Sequence, residues 1–281
     1  MVPRLQARAV TSARPSRAVK PDFPWWLVVA GTIAIALGIA ILVSPIYGQV
    51  FATVSQGIWI TVWVSLLAFC LASVLGLALA VMSLSDHIAI RQAARFYVEV
   101  VRGVPLLVLL FYIAFVGVPA LVSLWNFLSQ PLQSAGLIEP ALVRDFSLLW
   151  RAIIALMLAY AAFLAEIFRA GIQAVDKGQI EAAKALGLTR LQRFRLIVMP
   201  QAIRTILPPY GNDFISMVKD SSLVSVLGVV DVTQMGKVYA SGSFRFFETY
   251  SVVAYIYLLL TISLSLALRW IERRLGRSDR R

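Results

Sequence analysis

Three charged side chains, Asp213, Lys219 and Asp220, lie within an apolar stretch that covers about residues 206–230. A charge at the centre of a bilayer costs about 2.5–3.5 kcal/mol on insertion scales, so these groups are expected to face protein or water rather than lipid. Asp213, Ser216 and Asp220 stand at positions i, i+3 and i+7 and therefore share one face of a helix. Two carboxylates two turns apart suit an ammonium or guanidinium ligand.

Nearby basic residues leave other interpretations open. Lys219 or Arg102 could neutralise one of the carboxylates permanently. Arg102 follows Glu99 by three residues, so it either holds a ligand carboxylate or pairs with Glu99 along one helix. We favour the helix pair, and Glu166 and Arg169 repeat the same spacing with an ion pair as the expected role.

The composition defines the kind of protein that must position these groups. Of the 281 residues, 60% are hydrophobic and 14% are charged, whereas soluble domains are about 45–50% apolar and about 25% charged. A soluble core of this size cannot bury so much apolar surface. The composition therefore excludes a soluble enzyme, a disordered chain and a nucleic-acid-binding domain, despite the net charge of +12. It indicates an integral membrane protein in a lipid bilayer.

Apolar stretches near the length that crosses a bilayer predict an all-α fold with about six transmembrane helices. The predicted spans cover residues 25–43, 57–82, 96–118, 148–168, 206–230 and 250–268. The segment 119–146 is expected to rest at the outer interface. Twenty Lys and Arg residues fall in the tails and loops on one side of these spans and three on the other. The positive-inside rule then places both termini in the cytoplasm.

The single cysteine, Cys70, excludes an intramolecular disulfide, and the single histidine, His87, lies beside Asp86 without partners at metal-ligand spacing. The sequence therefore predicts no metal site. It also contains no G-x4-G-K-[ST] phosphate loop.

The loop over residues 171–200 is too long to be a simple connection. It predicts one short helix over about residues 177–186 that ends at Gly187. A second short helix is predicted to begin at Thr189, because Thr189 and Gln192 fit a capping box, and to stop before Pro200. From the residues alone, the loop is either a solvated amphipathic connection, which we favour on that basis, or a stiff element that transmits force from a partner.

This loop resembles the EAA loop of ABC-importer permeases, E-A-A-x3-G-x9-I-x-L-P. The matched positions are Glu181, Ala182, Ala183, Gly187, Ile197 and Pro200, with Met199 where the pattern has leucine. Residues 99–107, 165–172, 200–202, 207–209 and 219–224 resemble the polar amino acid branch of the same family. The likeness predicts a type I (MetI-like) permease domain over residues 51–271, with five spans. It leaves a basic cytoplasmic tail (1–24), an extra N-terminal transmembrane helix with its connector (25–50) and a second basic cytoplasmic tail (272–281).

The resemblance implies a permease subunit in the bacterial inner membrane that has no catalytic residues or cofactors of its own. Its EAA helix would dock on a cytoplasmic ABC ATPase dimer, which binds ATP and Mg²⁺. A periplasmic binding protein would deliver a polar amino acid, and a second permease subunit, identical or paralogous, would complete the pathway.

The resemblance also implies a substrate site on the acidic helix face. Asp220 would hold the α-amino group, and Asp213 would tune the side-chain preference toward basic or broadly polar amino acids. Arg102 and Ser216 complete the candidate set. The alternatives are a secondary transporter driven by an ion gradient, which would transport solute as a single chain, and a membrane receptor or scaffold that transports nothing. An intramembrane enzyme ranks below both because no nucleophile–base pair is present.

Overall fold

Residues 25–276 are described by a computed structural model, and within that range every regular element is helical. The α-helices are α1 (Trp25–Val43), α2 (Pro45–Val54), α3 (Ile58–Ser83), α4 (Ile88–Gly103), α5 (Leu106–Tyr112), α6 (Val118–Ser134), α7 (Leu148–Gln173), α8 (Lys177–Ala185), α9 (Arg190–Arg193), α10 (Met199–Asp220), α11 (Val232–Ser243) and α12 (Phe246–Gly276). Shorter 3₁₀ segments cover Ser55–Gly57, Val143–Asp145 and Ser221–Leu227, and π turns cover Ile113–Gly117 and Phe194–Val198.

Four helical stretches are long and apolar enough to cross a membrane. They are Pro45–Ser83, Leu106–Ser134, Leu148–Gln173 and Phe246–Arg274. The segment Val28–Val43 of α1 is a shorter apolar helix, and α10 carries the charged residues that the sequence placed in a span. These elements confirm an all-α membrane protein with about six apolar helices.

The centre of the molecule is the packing of α3 against α7. Gly76 of α3 lies so close to α7 that an added Cβ atom would stand 3.0 Å from the carbonyl oxygen of Ala161. Small buried residues such as Ala72 and Ala165 line the same contact, and small side chains are what allows two membrane helices to approach closely. This contact fixes α7, the helix that presents side chains to α4 and α10.

A second packed group joins α2, α11 and α12 through Val50, Val54 and Val252. Asp231 is fully buried beside it and caps α11 by accepting the N–H of Gln234 at 2.8 Å. The hydroxyl of Tyr257 also donates to Asp231, at 3.2 Å. The Asp231 carboxylate therefore finds its hydrogen-bond donors within the protein and has a structural role.

The predicted third span, 96–118, is wrong in its position. The helix breaks at Val104, whose φ and ψ of −99° and 133° are extended, because Pro105 disfavours helical geometry in the residue before it. The preceding helix, α4, has a charged face with Arg91, Arg95 and Glu99. The apolar helix that can span begins after the break and runs from Leu106 to Ser134.

The predicted interfacial segment 119–146 is accordingly helical as far as Ser134. A π turn over Ile113–Gly117 comes just before Pro119. Pro119 has no N–H and its ring crowds the preceding turn, and the wider π turn at this position lets the helical path continue. The same arrangement recurs at Pro200, where the π turn Phe194–Val198 leads directly into α10. The prediction that the second loop helix stops before Pro200 is wrong for this reason.

The fifth predicted span, 206–230, also differs from the structure. The helix starts at Met199, contains Pro208 and Pro209 in its interior, and ends at Asp220. A 3₁₀ segment follows and terminates at Gly228, whose φ of 84° is left-handed. The last helix, α12, extends to Gly276 and so includes the start of the predicted C-terminal tail. The tail 1–24 and residues 277–281 lie outside the described residues.

Candidate functional site

Residues 176–200, here called the EAA segment, begin with α8, a helix that has defined caps at both ends. Asp176 caps the start of α8, where its carboxylate accepts the N–H groups of Gly178 at 2.7 Å and Gln179 at 3.3 Å. At the other end Gly187 adopts a φ of 78°. The N–H groups of Gly187 and Leu188 then reach back to the carbonyls of Lys184 and Ala183, which is the hydrogen-bond pattern of a Schellman cap. The predicted helix and its end at Gly187 are confirmed.

The predicted capping box is confirmed as well. The N–H of Gln192 donates to Thr189 Oγ1 at 3.3 Å, and the N–H of Thr189 donates to Gln192 Oε1 at 2.9 Å. Both short helices are thus held by contacts between residues only a few positions apart.

The two faces of α8 differ in their surroundings. Ala183 is buried against the rest of the chain, whereas Glu181 and Ala182 are exposed. Leu186, at the end of the helix, is 80% exposed. Ile197 lies in the π turn and Pro200 is the second residue of α10. The EAA residues therefore present an accessible face of small and apolar side chains.

The EAA segment is linked to α10 by the side chain of Gln201. Gln201 Nε2 donates to Gln179 Oε1 at 2.6 Å and to the carbonyl of Ile197 at 3.1 Å, which connects α8 with α10. Helix α10 in turn packs tightly on the end of α7, where a Cβ added to Gly171 would stand 2.2 Å from Ile206. Helix α8 is therefore joined by a hydrogen bond to a helix that is packed closely against α7.

The acidic face of α10, defined by Asp213, Ser216 and Asp220, has the predicted alignment along one helix. Asp220 Oδ2 accepts a hydrogen bond of 2.7 Å from the hydroxyl of Tyr160 on α7. Tyr160 is only 4% exposed, and its hydroxyl therefore ties the end of the acidic face to α7.

Arg102 is connected to the same place through two aromatic rings. Its guanidinium carbon lies 5.7 Å from the ring centroid of Phe163, and that ring lies 6.0 Å from the ring of Tyr160. Arg102 at the end of α4 and Asp220 at the end of α10 thus stand at opposite ends of one aromatic pair on α7. A cation and an anion therefore flank one pair of aromatic rings.

The expected ion pairs have different outcomes. Glu166 and Arg169 form the predicted pair at 2.5 Å. Arg102 and Glu99 form no ion pair in the described part of the chain. Lys219 is exposed and makes no ion pair with an α10 carboxylate within residues 25–276.

Sequence reasoning missed Tyr160 and Phe163. A signal was available, because a tyrosine inside a membrane helix needs a partner for its hydroxyl group and the two rings stand at i and i+3 on α7. The spacing does not reveal that the partner is Asp220. Within residues 25–276, no group of three or more His, Cys, Asp or Glu side chains is arranged to hold a metal ion.

The apolar helices, the capped loop and the enclosed polar face define a multi-span membrane permease subunit. The chain belongs to the family of binding-protein-dependent transport system inner membrane components, whose family model matches residues 72–277. The predicted membership of the ABC-importer permeases is confirmed. The protein is accordingly a transport permease subunit and not itself an ATPase.

Individual relatives agree with the family match. The probable amino-acid permease protein YxeN of Bacillus subtilis (strain 168) is 38% identical over 230 residues, covering 82% of this chain and 94% of the relative. The octopine transport system permease protein OccM of Rhizobium radiobacter is 40% identical over 213 residues, covering 75% and 81%. The crystal structure of an amino acid ABC transporter with histidines matches with a TM-score of 0.66 and 37% identity, over 81% of this chain and 95% of that chain.

Proposed function

We propose that this chain is the membrane-spanning subunit of an ATP-driven importer of polar amino acids in the bacterial inner membrane. The observation that carries the proposal is the capped, exposed α8 helix linked by Gln179 and Gln201 to α10, the helix that bears the acidic face. A helix of this kind converts the movement of a docked partner into movement at the polar site. The amino acid and octopine permeases among its relatives support the substrate class.

In this proposal a cytoplasmic ABC ATPase dimer docks on the EAA segment, and it binds the ATP and Mg²⁺. The exposed side chains of Ala182 and Leu186 supply the contact, and Glu181 lies beside them. A fully accessible leucine at the end of a small-residue helix suits insertion into an apolar groove on a partner. Ala183 packs the helix against the rest of the chain, and Ile197 provides the carbonyl that Gln201 binds. Pro200 lies exposed at the start of α10.

The substrate is bound between α4, α7 and α10. Asp220 offers a carboxylate for the ammonium group of an amino acid, and Arg102 offers a guanidinium for an anionic group at the other end of the Tyr160–Phe163 pair. Tyr160 positions Asp220 through the 2.7 Å hydrogen bond. Asp213 and Ser216 line the same helix face and contact the substrate side chain. Within residues 25–276, no lysine forms an ion pair with Asp213 or Asp220. The site therefore favours a substrate that carries an additional cationic group.

A polar stripe on α10 supports a second permease subunit. Thr205, Asn212 and Lys219 stand seven residues apart and are all exposed. Such groups cannot face lipid at low cost, so a second subunit, identical or paralogous, and the solute pathway cover them. A periplasmic amino acid-binding protein delivers the solute. The excess of basic residues at the termini and at the EAA loop supports a cytoplasmic location for both. The proposed permease domain covers residues 51–271.

The test is a gentle-detergent pull-down of the tagged chain from native membranes, read by mass spectrometry. A Walker-A ATPase is expected with the wild-type chain and absent with Gly187→Arg. The space around Gly187 is open, so the arginine side chain meets no neighbouring atom, but the φ of 78° strains the backbone of any residue that has a Cβ atom. Gly187→Asn is the control, because asparagine tolerates the left-handed backbone and adds no charge. Recovery of no ATPase with either the wild type or Gly187→Asn, even after crosslinking, would contradict the proposal.

A further inference from the structure

A separate cavity of about 310 Å³ lies between α6, the segment that precedes α7, and α7 itself. Its walls are formed by carbon-rich side chains, among them Val118, Leu121, Trp125, Ala141, Phe146 and Ile154. The acidic face, Arg102 and the EAA segment do not contribute to it. A ligand that fits this cavity is therefore apolar and differs from the polar amino acid proposed for the acidic face.

The walls of this cavity are fixed by polar contacts that stabilise the backbone around it. Asn126 clamps Ala141 by donating to its carbonyl at 2.8 Å and accepting its N–H at 2.9 Å. On the other side Arg151, which is 8% exposed, donates to the carbonyls of Phe146 at 2.9 Å and Ala114 at 3.3 Å, and also to that of Val143. The side chains of Asn126 and Arg151 therefore make their hydrogen bonds to the protein backbone. The preformed cavity offers a ligand hydrocarbon contacts and few hydrogen-bonding groups.

The position of the cavity in the fold indicates that it faces the lipid bilayer. Both Leu106–Ser134 and Leu148–Gln173 are long and apolar enough to span a membrane, and the cavity lies between them near the start of α7. A helix of 26 residues is about 39 Å long, so this end is far from the EAA segment that follows the other end. Leu121 and Trp125 at the rim are 60% and 56% exposed, and tryptophan is enriched where hydrocarbon meets the headgroups.

We propose that the cavity binds an acyl chain of a membrane phospholipid, with Arg144 beside the lipid phosphate. Arg144 is exposed two residues before Phe146 and forms no ion pair within the described residues. An acyl chain matches the apolar lining, and a guanidinium is a preferred partner for phosphate. The bound chain fills a gap between α6 and α7, and α7 also lines the proposed substrate site.

The experiment uses the complete transporter complex in nanodiscs that contain an anionic phospholipid with a photoactivatable diazirine in its acyl chain. Peptides that carry Leu121, Trp125 and Ile154 are expected to be labelled more strongly than the exposed face of α1. Ala141→Leu fills the cavity and should reduce that labelling by about 60-fold, the loss expected when roughly three methylene groups are displaced from an apolar site. Ala36→Leu on the exposed face of α1 is the matched control and should change nothing.

Arg144→Gln keeps the cavity intact and tests the headgroup contact without altering the packing. It should lower labelling by the anionic lipid by about threefold and leave labelling by a neutral lipid unchanged, in line with the small contribution of an exposed ion pair. Three results would overturn the proposal: equal labelling of cavity and α1, insensitivity to Ala141→Leu, or labelling that is present in the isolated chain and absent from the complex. The last result would identify the cavity as a protein interface.

Discussion

The EAA segment and the acidic face of α10 differ in the range of the contacts that build them. In the EAA segment, Asp176, Thr189 and Gly187 act on residues two to five positions away. At the acidic face, the decisive hydrogen bond joins Tyr160 and Asp220, which are 60 positions apart. A docking element made of local contacts keeps its shape while it moves. A binding site made of long-range contacts changes its shape whenever its helices shift, and this difference suits a transporter that couples the two.

The largest effect is expected at the long-range site. Asp220→Asn keeps an acceptor for Tyr160 but removes the charge, and loss of a hydrogen bond to a charged group should lower kcat/KM for ATP-driven uptake by about 10- to 100-fold. Uptake by the reconstituted transporter measures this. Tyr160→Phe is the paired variant, because it retains the charge and removes the positioning bond, and a decrease of only about threefold is expected. Equal losses in the two variants would indicate a structural role for Asp220.

The local element should be nearly as sensitive on its exposed face. Leu186→Asp introduces a charge at a side chain that is 80% exposed, so the fold is preserved, while the loss of an apolar anchor at an interface should reduce uptake by at least about tenfold. Leu137→Asp is the matched control, since Leu137 is 70% exposed and lies in the loop before α7. Co-purification of the ATPase reports the outcome. A normal ATPase yield from Leu186→Asp would remove this face from the docking site.

A smaller effect on selectivity is expected at Asp213. Asp213→Asn should shift the ratio of cationic to neutral amino acid uptake by about fivefold toward the neutral substrates, as expected from losing one half-buried charge interaction. Competition assays with arginine and glutamine measure the ratio. Ser216→Ala, on the same face, removes no charge and should leave the ratio unchanged. An unaltered substrate profile in Asp213→Asn would place this carboxylate outside the site.

The smallest effect is expected where the two regions meet. Gln179→Leu removes the hydrogen bond from Gln201, and the transport per ATP hydrolysed should fall by about threefold, the equivalent of one neutral hydrogen bond. Gln201→Leu also removes the bond to the carbonyl of Ile197, so its loss should be at least as large, and the double variant should be no worse than Gln201→Leu. Gln92→Leu is the control, because that glutamine is exposed on α4 and no side-chain hydrogen bond is seen for it within residues 25–276. Additive losses in the double variant would show that the two side chains act separately.

The sequence predicted the local elements well because their determinants are adjacent in the chain. The cap of α8 at Gly187 and the Thr189–Gln192 box follow from residue type and spacing, and the structure confirms both. The break at Pro105 and the π turns before Pro119 and Pro200 were missed. Apolar periodicity alone carries no information about how a helix accommodates a residue that lacks an N–H.

The composite site was predicted only in part for a different reason. Asp213, Ser216 and Asp220 share a helix face by periodicity alone, so their alignment could be predicted. The approach of Arg102 to Phe163 depends on how α4 packs against α7. Single-residue patterns do not encode that packing, because it depends on contacts between residues far apart in the chain, such as the 2.7 Å hydrogen bond from the hydroxyl of Tyr97 on α4 to the carbonyl of Leu158 on α7.

The most direct test of the coupling between the two regions is solute uptake in proteoliposomes that contain the purified permease subunits and their ATPase. Uptake of a polar amino acid should require ATP and the binding protein, and it should stop with Gly187→Arg while the permease remains inserted. Uptake by this chain alone, driven by an ion gradient and insensitive to Gly187→Arg, would contradict the account.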